Sequence, residues 1–108
     1  MIQTQFCPIN NRPKGWSVTF DNGLTISVMY GYGNYCEHRN TTQPPTHSTN
    51  AEICIWNTSY RTIDFGGDGV RGYCSPEDIA RIMYLTSIAT DLHTLQQEFN
   101  TFGISKPY

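Results

Sequence analysis

The chain has 108 residues, 15% of them charged and 38% hydrophobic, with a formal net charge of −2. That length fits one domain around one modest core, and a charged share well below the usual quarter leaves Asn, Thr, Ser and Gln to solvate the surface. Seven unclustered Lys and Arg residues exclude a sequence-independent binder of duplex nucleic acid, which must neutralise many phosphates, and no apolar run approaches the ~20 residues of a membrane helix.

Residues 1–15 read as an irregular lead-in, since Pro8 and Pro13 oppose regular structure. "MIQTQFCPIN" lacks the basic start and apolar stretch of a secretory leader, so a cytoplasmic location is expected. "WSVTFDNGLTISVMY" then reads as a β-hairpin. A two-residue Asn22-Gly23 loop would set Val18 against Ser27. A three-residue loop, Asp21 to Gly23, sets Phe20 against Leu24, Val18 against Ile26 and Trp16 against Val28. The second keeps both apolar rows on one face, as a half-buried sheet requires, and places Gly23 in the left-handed conformation.

"GYGNYCEHRN" follows, leading into a polar loop over 37–50 that holds no apolar residue; loops of that length are usually functional or disordered. "AEICIW", "YRTIDF" and "VRGYC" complete an antiparallel β-meander of about five strands over 16–73. At residue 75 the pattern turns helical. Ser75 is a natural N-cap, Pro76 fits the first helical position, and Glu77 and Asp78 face the helix dipole. Apolar residues at three-and-four spacing extend this helix over 75–99, with 100–108 as a tail. The fold class is therefore a single α+β domain.

Such a helix would be ~35 Å long, whereas short strands span only ~17–20 Å. Either it breaks near Thr86-Ser87, or its second half packs on another subunit. The seam Leu85, Ile88, Leu92, Leu95 and Phe99 resembles a short coiled coil, and a homo-oligomer is the expectation.

The candidate chemistry is sparse. "GYGNYC" imitates a dinucleotide fingerprint, but a proline-containing loop follows where a helix N-terminus is needed. Cys36 could pair with His38 or His47, yet nothing supplies an oxyanion-hole motif or nucleophile elbow. Cys7, Cys36, Cys54 and Cys74 include no CxxC pair. They read as buried or bystander thiols ahead of a metal site with His38 or a set of disulfides; no metal or cofactor is implied. Aromatic–basic interleaving is the stronger signal. Tyr32, Asn34, Tyr35, His38 and Arg39 lie together, with Arg61 beside Tyr60 and Arg71 near Tyr73. Tyr and Arg faces stack on bases, and Arg grips phosphate. The alternative for Tyr30 and Tyr32 is packing at the sheet edge around a glycine bulge.

"WSVTFDNG", "SVMYGYGNYC", "AEICIW" and "GYCSPEDIARIM", spanning roughly Trp16 to Met83, resemble short tailed-phage accessory proteins. In layout and size the chain is also similar to Thoeris anti-defence sponges, oligomers that sequester cyclic ADP-ribose-type signals. The resemblance implies a non-enzymatic phage anti-defence protein that sequesters a nucleotide-derived immune signal in the host cytoplasm. Tyr32 and Tyr35 would then stack on the base, and Arg39, Arg61 and Arg71 would meet phosphates. The alternative expectation is a protein-binding inhibitor of a host defence effector, similar in kind to an anti-CRISPR.

Overall fold

The computed structural model describes residues 3–6, 14–40 and 47–105. One antiparallel sheet runs in chain order through β1 (Gln3–Phe6), β2 (Lys14–Thr19), β3 (Thr25–Tyr30), β4 (Ala51–Trp56) and β5 (Val70–Cys74). Two helices follow, α1 (Pro76–Ile88) and α2 (Leu92–Phe102). The class is α+β, helices covering one face of an antiparallel sheet.

The central hairpin has the register that apolar alternation demands. Trp16 pairs with Val28 and Val18 with Ile26. The turn closes through Phe20 N–H to Leu24 O at 2.9 Å and Gly23 N–H to Phe20 O at 2.9 Å, with Gly23 at φ 87°. That left-handed turn position suits glycine, which carries no Cβ to clash. β4 continues the same face, Ile55 opposite Ile26 and Ile53 opposite Val28. These side chains and Leu24 are buried under Ile82, Leu95 and Phe99 of the helices. Burying each large apolar side chain contributes roughly 1.5–3 kcal/mol.

The membership of the meander differs from the sequence reading in two places. Gln3–Phe6 is a strand paired with β2, not part of an irregular lead-in. Pro8 and Pro13 follow that strand and lie, like Cys7, outside the described residues. Tyr60–Phe65, conversely, forms no strand; its one bridge among the described residues joins Thr62 to Trp56. The cause is the turn ahead of it. The Asn57 side chain accepts hydrogen bonds from the amides of Ser59 and Arg61, and Tyr60 takes a positive φ of 61°. Ile63 and Phe65 then enter the core as plugs, Phe65 stacking on Phe99 at 5.9 Å.

The expected single helix is two. α1 starts as read: the Ser75 hydroxyl accepts from Asp78 N–H and the Asp78 carboxylate from Ser75 N–H, a complete capping box. The break falls at 89–91, beyond Thr86-Ser87. Both hydroxyls bond back within the helix, Thr86 to Ile82 O at 2.7 Å and Ser87 to Tyr84 O at 2.7 Å, and continue it. Asp91 caps α2 by accepting from Thr94 N–H at 2.8 Å. What holds the break is remote in sequence. Asn22 Nδ2, on the hairpin turn, donates to Thr86 O and Ala89 O, each at 2.8 Å. These are among the orphan carbonyls that every helix C-terminus must satisfy.

This break also dissolves the expected coiled-coil seam. Leu95 and Phe99 are 0% exposed in the chain's own core, and Leu85 and Leu92 are half-buried against it. Only Ile88 of the five faces outward, at 58% exposure. A helix folded back on its own sheet spends its apolar stripe internally.

Candidate ligand-binding site

β3 ends at Tyr30, and residues 31–40 form a compact loop organised around one thiol. Cys36 is 1% exposed, and its Sγ lies 3.3 Å from both the Gly31 and His38 amides, accepting from each. Gly33 N–H closes the loop on Arg39 O at 2.9 Å. Cys36 is thus the loop's buried anchor.

The loop is fastened to the sheet through Tyr35. Its amide donates to Glu52 Oε2 at 2.8 Å, and its carbonyl accepts from Tyr73 N–H at 2.8 Å. The second bond exists because β5 is bulged. Ala51 pairs with Cys74 but Ile53 with Arg71, so Gly72 and Tyr73 together oppose Glu52. Bulges re-aim backbone groups in this way, and Tyr73 takes a positive φ of 54°, a conformation unfavourable for a bulky residue. Arg39 lies over the Tyr35 ring, 4.4 Å from its centroid, within cation–π range.

A second brace ties residues 47–50 to this loop. Glu37 accepts from the Thr49 amide at 2.7 Å and the Thr49 hydroxyl at 2.6 Å, while its own amide donates to Asn50 Oδ1 at 2.7 Å. The Thr49 hydroxyl, with the Thr49 amide behind it, holds the Glu37 carboxyl below its ordinary range. Two polar atoms stay unsatisfied: Asn34 Nδ2 and His38 Nε2 are buried without a hydrogen-bond partner among the described residues. His38 Nε2 does face Glu37 Oε1 at 3.2 Å, close enough for an ion pair but outside hydrogen-bond geometry.

Six of the eight expected ligand contacts therefore share one end of the sheet: Tyr32, Asn34, Tyr35, His38 and Arg39 on the loop, and Tyr73 beside it. The other two do not join them. Arg61 follows Trp56, at the far end of β4 from Ala51 and the loop. Arg71 is committed internally: Nε donates to Ile104 O at 3.1 Å, Nη1 to Cys74 Sγ at 3.1 Å, and Nη1 sits 3.5 Å from Asp78 Oδ2. It clamps the end of α2 to β5 and to the start of α1. Within one chain, Arg39, Arg61 and Arg71 do not converge.

The thiols offer little reactivity. Burial pushes the Cys54 and Cys74 thiols up, Cys74 despite Arg71 beside it, which leaves them protonated and weakly nucleophilic at neutral pH. Among the described residues no three His, Cys, Asp or Glu side chains gather as a metal would require.

Beside the loop is a pocket the sequence did not announce. It encloses about 330 Å³. Trp16, Val28 and Tyr30 form its floor, Pro76, Ile79, Ala80 and Met83 its helical wall, and residues 48–51 its rim. It exists because the apolar sheet face outruns its cover. Trp16 and Tyr30 extend the buried row of Val28, but the first turns of α1 meet them with Pro76 and Ala80, too small to fill the space. The signal was present in the hairpin register, which already put Trp16 and Val28 side by side at the row's end.

No family model, no curated protein and no solved structure matches the chain. No helix among the described residues is long and apolar enough to cross a membrane.

Proposed function

We propose that this chain is a non-enzymatic binding protein that sequesters a small, nucleotide-derived ligand, in the setting of phage anti-defence that its sequence resembles. The observation carrying this reading is the pocket of about 330 Å³, toward the small end of the ~300–1,000 Å³ range of small-molecule sites. Its rim is braced by Glu37 to the loop bearing Tyr35 and Arg39. With Arg61 at the far end of β4 and Arg71 engaged by Ile104, Cys74 and Asp78, Arg39 is the one of the expected three cations on the adjoining loop. Phosphate capture is correspondingly reduced in this reading, and ring contacts are favoured. Assembly into a sponge-like homo-oligomer remains part of the proposal, with Ile88 as the exposed remnant of the expected seam.

The test is native mass spectrometry of protein purified from a bacterial host, alone and mixed with a cyclic-nucleotide and nucleoside panel. A discrete mass gain per subunit supports sequestration, and the subunit count reports assembly in the same spectrum. A bare monomer under every condition refutes it. A second reading, an inhibitor that docks on a host protein in the cytoplasm, draws on a different surface. Tyr84 and Ile88 lie exposed on α1, and Phe102 of α2 is exposed with Arg81 laid over its ring at 5.4 Å; aromatic and Arg anchors of this kind are enriched at protein interfaces. Pull-down of a host protein that Tyr84→Ala abolishes would favour it.

A further inference from the structure

We infer that the pocket takes a flat, uncharged heteroaromatic ring bearing hydrogen-bond acceptors, a nucleobase or nucleoside recognised by its ring and not by phosphate. This rests on the small-ligand reading above and names the chemistry of its site.

The lining carries no charged side chain among its described residues. Asp78 and Arg71, beside the start of α1, are spent on the helix cap and the end of α2, and Glu37 is spent on Thr49. A phosphate placed here would give up its hydration with no cation in the described lining in return, which is strongly unfavourable. A flat ring would not. Trp16 and Tyr30 supply aromatic faces for stacking, and Met83 adds a polarizable thioether that favours aromatic edges.

The rim then selects acceptors over donors. Its own acceptors are largely used within the protein: Asn50 Oδ1 receives the Glu37 amide, and Asn50 O receives the Ser48 hydroxyl at 2.5 Å. The Thr49 amide and hydroxyl are both taken by Glu37. What the lining residues hold in reserve is weighted to donors, two of the three groups being donor-only and the Tyr30 hydroxyl able to donate or accept. The Trp16 indole N–H, the Tyr30 hydroxyl and Asn50 Nδ2 have no hydrogen-bond partner among the described residues. A ligand rich in ring nitrogens and carbonyls matches that set.

The experiment uses the full chain carrying Trp56→Phe, which leaves Trp16 as its single tryptophan, titrated with adenosine and separately with AMP while fluorescence is recorded. Adenosine is expected to change the Trp16 signal saturably, and AMP to bind no more tightly than adenosine. Ala80→Leu, at an exposed helical position on the pocket wall, should weaken adenosine about tenfold, the scale of one misplaced apolar group in a pocket. Its circular dichroism and melting temperature should stay unchanged. Tyr30→Phe, which removes only a hydroxyl, should weaken binding severalfold. Tighter binding of AMP would overturn the inference while sparing the small-ligand reading. Binding indifferent to Ala80→Leu would place the ligand elsewhere and overturn it too. Silence from both compounds overturns the ring assignment; a bare native mass spectrum would then remove the broader reading as well, whereas a host-derived adduct would keep it.

Discussion

The two ends of the sheet are built on opposite principles. At the hairpin end, Asn22 spends its side chain on four backbone groups: Leu24 N–H, Thr86 O, Ala89 O and, at 3.5 Å, Ser87 O. At the loop end, Glu52 and Tyr73 hold the Tyr35 backbone, and two buried polar atoms, Asn34 Nδ2 and His38 Nε2, lack hydrogen-bond partners among the described residues. The first end is satisfied and the second is not. Unmade hydrogen bonds in a folded interior are rare, and each one calls for an explanation such as a functional site. The contrast teaches where a ligand would do most for this chain: at the end that has bonds left to make.

The largest expected effect tests the satisfied end. Asn22→Ala strips two partly buried helix carbonyls of their donor and should cost about 2–3 kcal/mol in urea unfolding. A loss under about 0.5 kcal/mol would mean water caps α1 equally well, and the contrast would fail. Next comes Glu52→Ala at the loop end. It removes the carboxylate on Tyr35 N–H, should cost about 1–2 kcal/mol, and should raise hydrogen exchange at the Tyr35 amide more than at Ile26 or Ile55. Uniform acceleration would show that the loop does not open on its own.

Acid should sharpen the comparison further, since two of the lowered carboxyls, Glu37 and Asp78, bond or adjoin residues that line the pocket. Burial pushes the Asp78 carboxyl up, but the Ser75 amide and hydroxyl and the Arg71 guanidinium outweigh it and hold it below its ordinary value. A carboxyl lowered by folding stabilises fully above its unfolded value of about 3.9 and loses that contribution as pH falls through the lowered one. Glu37, held down by Thr49, follows the same sign from its ordinary ~4.3. Stability and adenosine binding should therefore be flat from pH 7 to about 5 and decline below about 4, with Asp78→Asn blunting the decline in stability. The smallest effect concerns backbone strain. Tyr60 is 82% exposed at φ 61°, so Tyr60→Gly relieves a left-handed residue against glycine's extra unfolded entropy and should stabilise by roughly 0.5 kcal/mol. Destabilisation by that amount would show that its ring packs in solution.

Local rules were readable wherever both partners were close in sequence. The hairpin register followed from keeping Trp16, Val18, Val28 and Ile26 on one face, and the α1 start from Ser75, Pro76 and Asp78. The failures had distant partners. Thr86-Ser87 looked like a break, yet the break is fixed by Asn22, more than sixty residues away. Arg71 looked free because its partners, Ile104 O and Asp78, come from other elements, and Asp78 already had an evident role as a cap. The loop at Tyr35 and Arg39 was legible as a surface, but nothing in the sequence tied Glu52, seventeen residues from Tyr35, to positioning it. The pocket was hidden for a related reason: it is made by what Pro76 and Ala80 fail to cover.

Asn22 also gives the fold a chemical clock. An asparagine followed by glycine is the dipeptide whose side-chain amide is lost most readily. The small neighbour leaves its backbone nitrogen free to attack the side-chain carbonyl, expelling ammonia to give a cyclic imide that water then opens. While Asn22 Nδ2 bridges Thr86 O and Ala89 O, the amide is held away from that geometry. Once lost, it would leave a carboxylate facing the negative end of α1, with repulsion where two bonds had been. Ageing at this one position would thus unfasten the helix from the hairpin, visible as a one-dalton mass gain that tracks a falling melting temperature.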